Sequence, residues 1–552
     1  MKNPSLCALF IAGLLLAPIT HAGVAGLPPG VRLALDSARI PAEAVSLWTR
    51  PVDHATPALA INATAPMNPA SVMKLVTAFS ALERLGPAHT WTTRIARDGP
   101  IRAGVLEGNL YLVGGADPVL GYDRLWKVLR RVRALGIERV AGDIVLDASA
   151  LRLPPHDPDA FDGRGVRPYN SGPYGLLLQY NTLLLGLTPG KAANAPVALA
   201  AEPPLAGLVI DNRVLTSDAS CGSWYQDLQA VVEPGRRLVL SGSLPAACGP
   251  RTWSAAPLPP AEFGSALVAA LWSEVGGHLG GTVREGRLPT GAEELFSDDS
   301  DPLADVVRDM NKWSSNVIAR QLLATLGRVS LREDATEDMV TAGARAAAAT
   351  LAAAGIDTDG LVIENGSGLS RIERIRADSL GMLLLAAWQR PWMPEFIAAL
   401  PVAGVDGTAR RRLGDSPARG QAHIKTGTLN GVRAMAGYLL DRNGQRHAVV
   451  MMVNHPEAAA SAAAQDALLE WLWSGGPRAT AAPHSRLPAL LRVRKHRGSC
   501  RSGGRRECGA PASAAARTGA RWLASATTPP SRRHAIGIVC RCIRFHHPRT
   551  TR

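Results

Sequence analysis

Ser71-Val72-Met73-Lys74 is the first stretch of this chain whose residue types and spacing could do covalent chemistry. On a helix, positions three apart share a face, so the lysine amine can reach the serine hydroxyl. A serine is a poor nucleophile until a base takes its proton, and a desolvated lysine beside another cation can be that base. A second group, Ser314-Ser315-Asn316, offers hydroxyls and an amide, although serine and asparagine are also ordinary helix caps. The third, Lys425-Thr426-Gly427-Thr428, sets a cation and two hydroxyls around a glycine that permits close backbone approach. That is the make-up of a carboxylate-binding edge. Each group alone is a weak signal, since Ser-x-x-Lys recurs by chance and a lysine before Thr-Gly can be a plain turn.

Residues 71–82 are apolar nearly all round apart from Lys74. This predicts a buried helix begun near Pro69 and stopped by Gly86-Pro87, with Ser71 in its first turn. There the helix dipole and free N–H groups would point at a developing oxyanion. A lysine inside such a helix needs a reason. Helical character runs over 303–326, with Ser314-Ser315-Asn316 leading into 317–323, and returns over 340–354. Residues 422–424 read as a strand running into Lys425, and 435–440 with 447–453 form a hairpin around Asn443-Gly444. An apolar helix over 458–473 closes the body. Between Trp91 and Leu288 the texture changes to short glycine-punctuated runs such as 108–114 and 142–147, interrupted by one helix at 125–135. That region reads as β-rich, with room for a smaller unit nested inside it.

The 552 residues suffice for two to four domains, and 46% hydrophobic with 19% charged residues describe an ordinary globular chain. Lys2, the apolar run 6–16 and Thr20-His21-Ala22 before Gly23 predict a signal peptide over residues 1–22, cleaved on export rather than kept as an anchor. No later run is apolar and long enough to span a bilayer. Cys221 and Cys248 are the only cysteines between that segment and the tail. In an exported protein they are a disulfide candidate, with two separate buried thiols as the alternative. The formal charge of +14 belongs to the tail: residues 479–552 hold 16 Lys/Arg and one acid, which leaves −1 for the rest. The body therefore carries no charge signature of a nucleic-acid partner. The tail, 478–552, is rich in Arg, Ala, Pro and Ser, its cysteines show no metal-ligand spacing, and it is expected to be disordered.

Taken together and in this order, the three motifs resemble the set shared by class A β-lactamases and penicillin-binding proteins. The chain resembles in particular the class C low-molecular-mass penicillin-binding proteins, the D-alanyl-D-alanine carboxypeptidase/endopeptidase family. The separation of 243 positions from Ser71 to Ser314 is far more than a simple β-lactamase needs. Asn365-Gly366-Ser367-Gly368-Leu369-Ser370-Arg371 is similar to a segment of that family, whose members often carry aspartate where Asn365 stands. Leu400-Pro401-Val402-Ala403-Gly404-Val405-Asp406-Gly407-Thr408 precedes the lysine motif as it does there. The resemblance covers residues 45–473.

The resemblance implies that Ser71 is acylated, with Lys74 as its general base. Ser314 would relay a proton to the leaving amine, and Asn316 would hold the substrate amide and Lys74. Lys425, Thr426 and Thr428 would grip a terminal carboxylate beside Gly427, and the backbone N–H groups of Ser71 and Thr428 would form the oxyanion hole. The implied substrates are peptidoglycan peptides ending in D-Ala-D-Ala, β-lactam antibiotics are the implied inhibitors, the periplasm is the implied location, and no metal or organic cofactor is implied. The implied fold is α/β: a transpeptidase-like, serine β-lactamase-like domain of antiparallel sheet flanked by helices, built from 23–90 and 291–477, with a β-rich insertion over 91–290. A β-lactamase or esterase could use the same motifs, and a non-catalytic wall-binding module would keep the fold. An intact Ser71, Lys74, Asn316 and Lys425 set speaks against the non-catalytic reading. Asp117 and Asp406 read as turn or capping residues, and Gly366-Ser367-Gly368 as a structural turn.

Overall fold

The computed structural model describes residues 26–476, so the expected signal peptide and basic tail lie outside the described residues. Its central element is a five-stranded antiparallel sheet in the order Leu59–Ile61, Val45–Pro51, Arg446–Asn454, Val432–Leu440, Ala422–Leu429. Side chains alternate strictly between its faces. Ala434, Ala436, Tyr438, Ala448, Val450 and Met452 join one core, while Met435, Leu439, Val449, Met451 and Val453 join the other. Both faces are covered, which is why the central strands are continuous apolar runs rather than alternating ones. The first core receives the helices Lys74–Leu85, Leu303–Trp313, Asn316–Ser330 and Ala377–Trp388; the second receives Pro29–Ser37 and Ala462–Trp473.

The insertion between Trp91 and Ser300 has two large hydrophobic cores of its own, besides a small cluster of Ala96, Tyr111, Val113 and Val145. One lies beneath a mixed sheet ordered Val283–Glu285, Ile144–Asp147, Leu110–Val113, Thr92–Arg97, Glu293–Asp299. Its parallel pairs, 110–113 with 144–147 and 144–147 with 283–285, need crossovers, and the helices Tyr122–Ala134 and Pro260–Glu274 supply them. Pro260–Glu274 is an α-helix inside a region whose sequence texture suggested strands; it is apolar almost all round and so lacks the amphipathic period. The other core gathers short strands between Leu183 and Ala255, and Cys221 and Cys248 are joined there by a disulfide.

The helical run over 303–326 is two helices, broken at the Ser314-Ser315-Asn316 group expected to cap the second. Leu303–Trp313 ends at Ser314, which takes a left-handed conformation (φ 58°), and Ser315 caps the next helix, its Oγ accepting the Ile318 N–H at 3.3 Å. Among the described residues no helix is long and apolar enough to cross a membrane.

Candidate active site

Ser71 lies in a single 3-10 turn, Ala70–Met73, that runs into the Lys74–Leu85 helix, so serine and lysine come one turn apart on one face. The Lys74 Nζ is 3.0 Å from the Ser71 Oγ. The chain enters this turn under constraint. Ala70 has φ +44°, a conformation that costs a non-glycine residue about 1–2 kcal/mol. Asn68 holds it there: its Oδ1 accepts the Ala70 N–H at 2.8 Å and its Nδ2 donates to the Ser370 carbonyl at 2.9 Å. Asn454 closes the entry from the central sheet, accepting the Asn68 N–H and donating to its carbonyl.

Lys74 is fully buried, and its ammonium reaches three acceptors: Ser71 Oγ, Asn316 Oδ1 at 2.7 Å, and the Ser367 carbonyl. Burial, and then the neighbouring Lys425 and Arg320 cations, hold its pKa well below the usual lysine range, with Glu373 pulling the other way. Asn316 owes its position to the helix break at Ser314. It opens the second helix, and its Nδ2 donates to the Tyr169 carbonyl at 3.2 Å, so a loop of the insertion fixes which way the amide faces.

The third motif lies on Ala422–Leu429, the edge strand of the central sheet. Lys425 is fully buried, and its Nζ donates to Ser314 Oγ and to the Thr426 carbonyl, both at 2.8 Å. Burial lowers its pKa to about 7. Gly427 has no room for a side chain: a Cβ there would be 2.6 Å from the Pro69 carbonyl and 2.9 Å from the Ser71 nitrogen. The edge strand can therefore lie directly against the Ser71 backbone. The Ile424 N–H points out of the sheet to the Pro401 carbonyl at 2.8 Å, and the alternation of an antiparallel ladder turns the Thr426 and Thr428 N–H groups to the same open edge. Thr426 Oγ1 pairs with Thr408 Oγ1 at 3.0 Å.

The residues singled out in the three sequence motifs fall in two hydrogen-bonded groups, Ser71–Lys74–Asn316 and Lys425–Ser314, brought side by side where Gly427 lies against the Ser71 nitrogen and the Lys425 charge acts on Lys74. Several participants lacked a sequence signal. Ser367 belongs to a segment read as a structural turn, yet its carbonyl accepts from Lys74. Arg320, mostly buried on the Asn316–Ser330 helix with its pKa lowered by burial to about 10, donates to the Ser171 carbonyl at 2.7 Å. A charge in an apolar helix could have flagged it, as it flagged Lys74. Asp406 keeps a capping role at the Val402 N–H and adds an ion pair with Lys312; Asp117 caps the Val119 N–H and pairs with Arg124.

A cavity of about 1250 Å³ opens next to this constellation, lined by Phe161, Tyr174, Arg320, Asn365, Leu369 and Arg371 among others. Ser71 does not line it; Arg320 and Asn365 connect the two. No group of three or more His, Cys, Asp or Glu among the described residues could hold a metal ion.

The chain is 32% identical over 418 residues to a D-alanyl-D-alanine carboxypeptidase of Actinomadura sp. (strain R39), covering 72% of this chain and 76% of that protein. It is 26% identical over 403 residues to the D-alanyl-D-alanine carboxypeptidase DacB of Haemophilus influenzae, covering 71% and 81%. The fold matches the crystal structure of penicillin binding protein 4 from Haemophilus influenzae with a TM-score of 0.67 and 24% identity, over 80% of this chain and 99% of the other. The model of the D-Ala-D-Ala carboxypeptidase 3 (S13) family matches residues 31–474, nearly the whole of the described structure, and the chain belongs to that family.

Proposed function

We propose that this protein is a serine D-alanyl-D-alanine carboxypeptidase and endopeptidase, which hydrolyses peptidoglycan stem peptides and cross-bridges through an acyl-enzyme on Ser71 and is inhibited by penicillin. The observation that carries this reading is the buried Lys74 ammonium, held between Ser71 Oγ and Asn316 Oδ1 with its pKa depressed. A lysine so placed is a base for the serine and has little structural purpose. The substrate would lie along the open edge of Ala422–Leu429, its terminal carboxylate at Lys425, Thr426 and Thr428. Lys74 takes the Ser71 proton as Oγ bonds to the carbonyl carbon of the penultimate D-alanine. The oxyanion is met by the N–H groups of Ser71 and Thr428, worth about 3 kcal/mol per donor in related chemistry. Collapse breaks the C–N bond, and the proton on Lys74 reaches the leaving amine through Ser314. Water then attacks the ester, Lys74 takes its proton, and Ser71 is restored. In a β-lactam the leaving amine stays tethered, so the acyl-enzyme persists.

In this reading residues 23–90 and 291–477 form the catalytic domain, apart from the strand Glu293–Asp299, which pairs with Thr92–Arg97 in the sheet of the inserted region, and that region shapes the substrate approach. The substrate chemistry and the Cys221–Cys248 disulfide both favour a site of action outside the cytoplasm, reached by way of the signal peptide. Incubating the protein with stem pentapeptide and with cross-linked muropeptides, and following the products by mass spectrometry, tests the activity. The proposal requires release of D-alanine by the native protein and none by Ser71→Ala; equal hydrolysis by both defeats it.

A further inference from the structure

Glu373 is fully buried, although Arg371 and Ile372 just before it are exposed. Its Oε1 accepts three consecutive backbone N–H groups, from Glu364, Asn365 and Gly366, at 3.1, 3.0 and 2.9 Å. Its Oε2 is buried with no hydrogen-bond partner among the described residues. The three amides belong to the turn that ends at Ser367, whose carbonyl accepts from the Lys74 ammonium. The nucleophile helix grips the same turn, since Thr77 Oγ1 donates to the Gly366 carbonyl at 2.7 Å. The turn has no slack: a Cβ at Gly368 would meet the Ala70 carbonyl at 1.9 Å and the Ser71 nitrogen at 2.6 Å.

We propose that Glu373 is a positioning residue for the reaction, whose carboxylate anchors the 364–367 turn behind Ser71 and Lys74 and supplies the negative charge that offsets the cations gathered there. Those cations are Lys74 from the nucleophile helix, Arg320 from the Asn316–Ser330 helix and Lys425 from the edge strand; Glu364 is a further acid facing the cluster. Burial raises the Glu373 pKa, and the three amide donors oppose that rise by favouring the ionised form. A charged Glu373 in turn favours the protonated form of Lys74, so it sets the pH at which the base becomes available. The inference rests on the reading of Ser71 as nucleophile and Lys74 as base.

The test is the pH–rate profile of acylation by a chromogenic β-lactam, measured for the full chain. Acylation requires neutral Lys74, so its rate falls as pH drops through the Lys74 pKa. In Glu373→Gln the oxygen that takes the three amides remains and the charge is gone. Its acidic limb is expected to move to lower pH by about half a unit or more, with the plateau within about threefold of the native rate. Glu373→Asp keeps the charge on a shorter stem and is expected to leave the limb in place while lowering the plateau by roughly tenfold. A Glu373→Gln limb that coincides with the native one overturns the proposal. If the variants at this position do not fold, Thr77→Val loosens the turn from the helix side. Acylation is then expected to drop by about fivefold or more at every pH, and native acylation by that variant overturns the anchoring role. Failure of the underlying reading looks different, because the native protein itself would not be acylated.

Discussion

Two lysines share the site, and burial acts on both, but the tasks proposed for them call for opposite protonation states. Lys74 must be neutral to accept a proton, and its pKa, held down by burial and by the neighbouring Lys425 and Arg320, serves that need. Lys425 must be charged to hold a carboxylate, and burial brings its pKa down to about 7. It is therefore cationic below pH 7 and progressively neutral above it. The affinity of Ser71→Ala protein for a peptide ending in D-Ala-D-Ala is predicted to fall as pH rises past about 7, approaching tenfold per pH unit; calorimetry between pH 6 and pH 9 measures it. A C-terminally amidated peptide should show no such fall. An affinity that stays flat for the free carboxylate contradicts the assignment of Lys425. The two predictions separate the lysines, since acylation weakens toward acid and carboxylate binding weakens toward base.

At the scale of elements, the site is made by three approaches: a 3-10 turn against a helix start, a helix break at Ser314, and an edge strand lying on the Ser71 backbone. Gly427 is the narrowest of these contacts. Gly427→Ala places a Cβ 2.9 Å from the Ser71 nitrogen and must push the strand away from the oxyanion position. It is predicted to slow acylation by roughly 10–100-fold in protein that still folds, by stopped-flow with a chromogenic β-lactam. A rate within twofold of native would mean that the strand is not held against the nucleophile. These elements were unequally legible in the sequence. The Lys74 helix and the hairpin after Lys425 announced themselves by an odd charge in an apolar run and by Asn443-Gly444 between apolar strands. The break at Ser314 is marked by neither glycine nor proline; its one signal is the Ser314-Ser315-Asn316 group, read as ordinary helix caps leading into 317–323. Glu373 sits among arginines in a polar stretch, where a buried carboxylate has no pattern to betray it. The parallel pairings of the insertion were hidden because strands of four residues carry too little periodicity to assign a partner.

For the whole molecule, separate hydrophobic cores mean that stability and catalysis can be altered independently. The Cys221–Cys248 disulfide closes a 27-residue separation within the core of the nested strands, whereas Ser71, Lys74 and Asn316 belong to elements of the core beneath the central sheet. Replacing both cysteines by serine is predicted to destabilise the inserted region by about 3 kcal/mol, seen as an earlier thermal transition. Acylation by a small β-lactam should stay within about twofold of native. A matching loss of acylation would show that the nested strands hold the catalytic residues in place. The positive net charge of the chain lies in residues 479–552, outside the span 31–474 that matches the family.

The proposed reaction begins at one oxygen, the Ser71 Oγ. Brief exposure of the purified protein to penicillin, followed by intact-mass and peptide mass spectrometry, should reveal one penicilloyl adduct on a peptide containing Ser71 and none in Ser71→Ala. Folded native protein that neither acquires the adduct nor consumes the antibiotic, or an adduct that persists in the Ser71→Ala variant, would contradict it.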